Sequence, residues 1–208
     1  MLSDIAALKD SEVRYLFERL SQDRRLASIL RNESEQESSL IPMENRKSSF
    51  ESFLTSSTLE AEIKEKVQTF LRNSHPSTGL FLYGKSGRGK THLAHAAFQS
   101  CQKSGKNVLF ISYRDFINNP KKAEELISYD AELYILDDFN DFSSSFSFFI
   151  EQIFEKGKKV IITSNLSDDE FLRRVCTKVT QRLEARFNNM FCRICFDTLE
   201  DKRTSRTP

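Results

Sequence analysis

The stretch Gly84-Lys85-Ser86-Gly87-Arg88-Gly89-Lys90-Thr91 reads as G-x-x-x-x-G-K-[ST], and it constrains the fold more than any other feature of the chain. Glycines let a backbone bend tightly and aim successive N–H groups at phosphate oxygens. In such a loop Lys90 places its charge on the β- and γ-phosphates of a nucleotide, and the Thr91 hydroxyl is placed to ligate Mg²⁺. A helix starting at this point adds the positive end of its dipole to the same anion. The motif carries this meaning only between a strand and a helix. Leu80-Phe81-Leu82-Tyr83 ahead of it is a compact apolar run suited to a buried parallel strand. Behind it, Thr91 to Ser104 holds Leu93, Ala94, Ala96, Ala97 and Phe98 with no Gly or Pro before Gly105, which suits a helix. Strand, loop and helix in this order imply nucleotide binding.

A chain of 208 residues is long enough for one core domain and a small appendage. Its net charge of +1 gives no bulk support for nucleic-acid binding, so any such surface must be a local patch. No apolar run approaches the length of a membrane span, and Met1 to Asn32 is too charged for a signal peptide; a cytoplasmic protein without a membrane partner is expected. Cys192-Arg193-Ile194-Cys195 has C-x-x-C spacing, but it falls in an expected strand, where positions three apart face opposite ways. With Cys101 and Cys176 supplying no second pair, four buried reduced thiols are expected.

Met1 to Asn32 is charged, with Val13, Leu16, Phe17 and Leu20 at helical spacing and Leu26, Ile29 and Leu30 in a second short segment. Residues 33–48, rich in Glu, Ser and Asn, read as a linker. From about Ser49 to Phe196 helices and strands alternate. Ser57-x-x-Glu60 is a capping box, and Leu59, Ile63, Val67, Phe70 and Leu71 form one face of the helix behind it. Strands are expected at Asn107–Ser112, Leu133–Leu136, Val160–Thr163 and from Phe191, and helices around Pro120 to Tyr129, at Phe146 to Ile153 and from about Thr177 to Phe187. Such alternation argues a parallel sheet with helices on both faces. In the cluster Phe139, Phe142, Phe146, Phe148 and Phe149, the stripe Phe146, Phe149 and Ile153 reads as core, with a base-stacking platform as the alternative.

Leu133 to Leu136 delivers two carboxylates, Asp137 and Asp138, at the end of an apolar strand. Ligands of parallel α/β sheets bind at the carboxyl ends of strands, so both acids are expected near the glycine-rich loop. Asp137 is the candidate Mg²⁺ contact, together with Thr91. Asp138 is then placed to orient or deprotonate an attacking water. Val160-Ile161-Ile162-Thr163-Ser164-Asn165 is another strand with a polar end, from which Asn165 can bond the γ-phosphate or the water.

These residues together resemble the AAA+ ATPases of the bacterial replication-initiator and helicase-loader branch, the DnaA, DnaC and IstB families. Leu80 to Gly84 and Lys90-Thr91-His92-Leu93-Ala94-His95-Ala96 look like its Walker A region, Asp137-Asp138 like its Walker B and Thr163-Ser164-Asn165 like its sensor 1. The resemblance implies a P-loop NTPase three-layer sandwich with a five-stranded parallel sheet in the order 5-1-4-3-2. It also implies ATP and Mg²⁺ as cofactors, with Gly84, Lys85, Ser86, Gly87, Arg88, Gly89, Lys90, Thr91 and His92 around the nucleotide. Gln181-Arg182-Leu183-Glu184-Ala185-Arg186-Phe187 resembles the segment carrying the arginine finger, which makes Arg186 the first candidate and Arg182 the second; surface arginines paired with Glu184 are the alternative. Phe50 and Phe53 look like a short aromatic motif that lies near adenine in this branch, and would equally serve as a packing staple.

Two departures from the branch bear on function. Asp197 to Pro208, with Lys202, Arg203 and Arg206, is too short for a helical lid or a helix-turn-helix and is expected as a short basic tail. Tyr113 to Glu132 is short, and its Arg114, Lys121 and Lys122 are offset by Asp115, Glu124, Glu125 and Asp130, which disfavours strong DNA binding. The resemblance therefore implies an ATPase of replication initiation: a helicase loader or accessory factor in which residues 1–32 grip the replicative helicase. The alternatives are a regulator that docks on the initiator and an IstB-like transposition ATPase. Nucleotide-dependent self-association and contact with single-stranded DNA accompany these expectations.

Overall fold

The computed structural model describes residues 48–72, 78–118, 131–140, 144–178 and 181–202. The helices expected in Met1–Asn32, the linker up to Lys47, the helix around Pro120–Tyr129, Phe142 and the end of the tail lie outside these residues.

Ser57 starts helix α1 (Thr58–Leu71) with a reciprocal capping box, its hydroxyl accepting the N–H of Glu60 while the Glu60 carboxylate takes the Ser57 N–H. Ile63, Val67, Phe70 and Leu71 turn inward as their spacing predicts. Leu59 does not: it is exposed, and Glu60 is the buried residue of that turn, because capping draws its side chain back over the helix start. Strand β1 (Gly79–Tyr83) leads into the glycine-rich loop, and α2 (Lys90–Lys103) leaves it. Small Ala94, Ala96 and Ala97 let α2 lie close to its neighbours, and the helix packs on the sheet and on α1.

The chain continues through β2 (Val108–Ser112), the short α3 (Tyr113–Asn118), β3 (Leu133–Asp137), α4 (Ser144–Glu155) and β4 (Lys159–Ser164). A single helix from about Thr177 was expected next. Two are present instead, α5 (Asp168–Lys178) and α6 (Gln181–Met190), followed by β5 (Phe191–Cys195). Helix α5 begins early because Ser167 and Glu170 cap it reciprocally, the Ser167 hydroxyl accepting the Glu170 N–H and the Glu170 carboxylate taking the Ser167 N–H.

Among the described residues five strands pair in parallel, in the order β2-β3-β4-β1-β5, which is the expected 5-1-4-3-2. The middle strands are apolar through their centres because both faces are covered, with Lys159, Asp137, Thr163 and Ser164 confined to strand ends; every residue of β3 is buried. One face carries Phe81, Tyr134, Leu136, Val160 and Ile162 into a core shared with Phe146, Phe149 and Ile153 of α4, Phe171 of α5 and Phe187 of α6. Phe139 stacks on Phe146 with ring centroids 4.7 Å apart, so the aromatic cluster is packing rather than a stacking surface; Phe148 alone among its described members is exposed. Complete burial of each such ring contributes about 1.5–3 kcal/mol. Cys101 is buried, Cys192 and Cys195 are half-buried, and all three are free thiols. Among the described residues no helix is long and apolar enough to cross a membrane.

Candidate nucleotide site

The carboxyl ends of β1, β3 and β4 converge on the glycine-rich loop. Gly84 and Gly87 both have positive φ, 120° and 83°, in the backbone region that L side chains rarely adopt. A Cβ would also collide there, at 2.7 Å from Asp197 Oδ1 for Gly84 and at 2.4 Å from Asp201 Oδ1 for Gly87. Lys90 is buried at the start of α2, and its ammonium donates to the carbonyls of Gly84 and Lys85 at 2.6 and 2.8 Å. The loop thus holds its cation within its own curve.

Asp137 is buried at the end of β3. Its Oδ1 accepts the Thr163 hydroxyl at 2.6 Å, and the Thr91 hydroxyl also bonds its carboxyl. Burial pushes this carboxyl up from its ordinary value, and the neighbouring Asp138 adds to the rise; the two hydroxyls and Lys90 act against it. A carboxylate desolvated in this way beside a hydroxyl is a group that a divalent cation would stabilise.

Asp138 follows with φ 60°, the one positive value outside glycine among the described residues. Its N–H donates to Thr163 Oγ1 at 2.9 Å, so a single hydroxyl ties both acids to β4. Asn165, exposed at the end of β4, donates its side-chain amide to Asp138 Oδ1 at 2.6 Å. Thr91, Asp137, Asp138 and Asn165 are therefore brought together at the carboxyl ends of the strands.

His92 and Phe53 join the loop to the segment before α1. The His92 ring contacts the Ser52 hydroxyl and the Ser49 carbonyl, both at 3.1 Å, and meets Phe53 edge-on. The Phe53 ring lies against Gly89, where a Cβ would come within 2.8 Å of it. Phe50 is buried in the same turn. Arg182 and Arg186 lie on α6, and their side chains fall outside what the structure describes.

Three features escaped sequence reasoning. Thr163 was one letter of a motif and is instead the bridge between the two acids. Asn140 bonds Asp138 and the end of β4. Third, the first six residues of the segment expected as a basic tail lie along the loop. Asp197 Oδ1 accepts the Lys85 N–H at 2.6 Å, Arg88 donates to the Leu199 carbonyl, and the Lys202 N–H donates to the Gly87 carbonyl at 3.1 Å. The Lys202 ammonium then reaches Glu60 at 2.9 Å and the Leu54 carbonyl at 2.8 Å, 3.7 Å over the Phe53 ring. No local pattern announces these contacts.

The family model of the bacterial DnaA ATPase domain matches residues 44–193, which contain the loop, both acids and Asn165. The chain belongs to the DnaA ATPase domain family. The chromosomal replication initiator protein DnaA of Mesoplasma florum is 31% identical over 129 residues, covering 52% of this chain and 29% of that protein. AMPPCP-bound DnaA from Aquifex aeolicus superposes with a TM-score of 0.61 at 24% identity, over 78% of this chain and 54% of that one. The DnaC helicase loader gives a TM-score of 0.61 at 18% identity, over 75% of this chain and 100% of that one. At these identities the structural likeness is one of fold, and it is the AAA+ fold of the DnaA and DnaC branch. The chain spans about a third or less of the length of the curated DnaA relatives it matches.

Proposed function

We propose that this chain binds and hydrolyses ATP with Mg²⁺ and acts in bacterial replication initiation, as a helicase loader or initiation accessory factor. The observation that carries the ATPase reading is the 2.6 Å bond from Asn165 to Asp138 beside Asp137, Thr91 and the loop. An acid that takes part in hydrolysis must stand at the phosphate end of the nucleotide and be aimed, and here a neighbouring strand aims it.

In this reading loop N–H groups and Lys90 hold the phosphates, and Thr91 and Asp137 hold Mg²⁺, which supplies charge neutralisation on the β- and γ-phosphates. Asp138 orients or deprotonates the attacking water, and Asn165 fixes Asp138 and contacts the water or the γ-phosphate. Arg186, with Arg182 second, reaches the nucleotide of a neighbouring copy and stabilises transition-state charge, tying turnover to self-association. His92 and the aromatic pair Phe50 and Phe53 flank the nucleotide.

The place in replication initiation is supported by the family and by the naming of its relatives as replication initiators and a helicase loader. Residues 1–32 serve as the element that grips the replicative helicase, and the ATP state switches the grip. The match to an initiator's own ATPase domain, together with the short Tyr113–Glu132 segment, favours a second reading: a regulator that docks on the initiator and stimulates its hydrolysis.

Purified full-length chain presented to the replicative helicase and to the initiator of the same organism separates the two. The loader reading predicts helicase binding with ATP, lost in Lys90→Ala and on deletion of residues 1–45, the latter still binding ATP. Binding to the initiator but not to the helicase contradicts it and supports the regulator.

A further inference from the structure

Asn140 stands two residues beyond Asp138, outside both motifs that point to the site. Its amide is used from both ends. Nδ2 donates to Asp138 Oδ1 at 2.7 Å and to the Asp138 carbonyl at 3.1 Å. Oδ1 accepts the Asn165 N–H at 2.7 Å and the Ser164 hydroxyl at 3.0 Å. Its backbone carbonyl accepts Arg174 Nη1 from α5 at 2.7 Å. One side chain therefore spans the gap between the carboxyl ends of β3 and β4.

The consequence for Asp138 is specific. Its backbone lies at φ 60°, a region that is costly for a residue with a Cβ, and the Asn140 bond to its carbonyl helps to hold it there. Two amides, from Asn140 and Asn165, converge on the same oxygen, Oδ1. A carboxylate gripped at one oxygen by two donors cannot rotate freely, so its other oxygen keeps one direction.

We propose that Asn140 is a positioning residue for ATP hydrolysis: it sets the rotamer of Asp138 and its distance from Asn165, so that Oδ2 of Asp138 faces the attacking water. The proposal rests on the ATPase reading above and adds to it a residue that neither the loop nor the acid pair announces. A purely structural Asn140 would close the turn through its acceptor contacts with Ser164 and Asn165 and its bond to the Asp138 carbonyl, and its loss would lower stability without a separate fall in kcat.

Two variants separate these roles. Asn140→Ala removes both halves of the amide without adding charge, and Asn140→Asp keeps the acceptor oxygen while turning a second carboxylate oxygen toward Asp138 in place of the donor. With Mg²⁺ and ATP, both are expected to bind ATP within about twofold of the wild type while kcat falls about tenfold or more, with Asn140→Asp no better than Asn140→Ala. Wild-type kcat in either variant overturns the proposal. Should Asn140→Ala unfold, the uncharged Asn140→Ser takes its place, with the same outcomes. ATP binding by the wild type is measured alongside: its absence removes the ATPase reading and this proposal with it, whereas normal binding and turnover that survive in Asn140→Ala remove the proposal only.

Discussion

The side-chain amide of Asn165 donates to Oδ1 of Asp138 at 2.6 Å, joining the carboxyl ends of β4 and β3 next to the glycine-rich loop. The bond gives Asp138→Asn a defined outcome, because the substituted amide keeps an oxygen for Asn165 while losing the carboxylate that takes up a proton. ATP affinity is expected to hold and turnover to fall about 100-fold or more, read by nucleotide titration and phosphate release. Turnover at the wild-type rate would remove Asp138 from the reaction.

Thr163 ties Asp137 and Asp138 to β4 through one buried hydroxyl. Thr163→Val preserves shape but leaves the Asp138 N–H and the Asp137 carboxylate each short of a partner. A loss of about 1–3 kcal/mol is expected in denaturant unfolding, with ATP hydrolysis reduced as well. An unchanged midpoint would show that water replaces the hydroxyl.

Glu60 sets the acid limb of stability. Burial alone would raise its carboxyl, but bonds from Ser56 and Lys202 outweigh burial and hold it at about 2. Its ordinary value is 4.5, so the contribution is complete above that pH and is lost as pH falls through about 2. The full difference corresponds to about 3 kcal/mol. Glu60→Gln should lower the melting temperature at neutral pH and flatten its fall between pH 4.5 and 2; an unaltered pH profile would contradict the assignment.

His95 acts in a separate window. It is buried on α2 with its ring stacked on Phe110 at 4.2 Å, and burial first, then His92, depress it from 6.5 to about 4. The neutral ring is the folded form, so the stability it allows is complete above pH 6.5 and lost as pH falls toward 4. His95→Leu should flatten thermal stability across that interval, and retention of the wild-type slope would place the titration elsewhere.

What was legible in the sequence was local. The loop sits between an apolar run and an alanine-rich helix, and Asp137, Asp138 and Asn165 end apolar strands, so neighbours in sequence were enough to place them. Leu59 misled because apolar periodicity turns it inward, whereas the capping box turns Glu60 inward and Lys202 closes over that acid. Helix α5 was legible and overlooked: Ser167-Asp168-Asp169-Glu170 is a capping box, and Phe171, Leu172 and Val175 stand at helical spacing behind it. The contacts from Asp197 to Lys202 join residues over a hundred positions apart, and only the adjacency of β1 and β5 brings them together.

The most direct test of the nucleotide site is calorimetric titration of the full chain with ATP in the presence of Mg²⁺, beside Lys90→Ala. The site described here predicts saturable one-to-one binding by the wild type and its loss in Lys90→Ala. No binding by the folded wild type, or equal binding by the two, would contradict it.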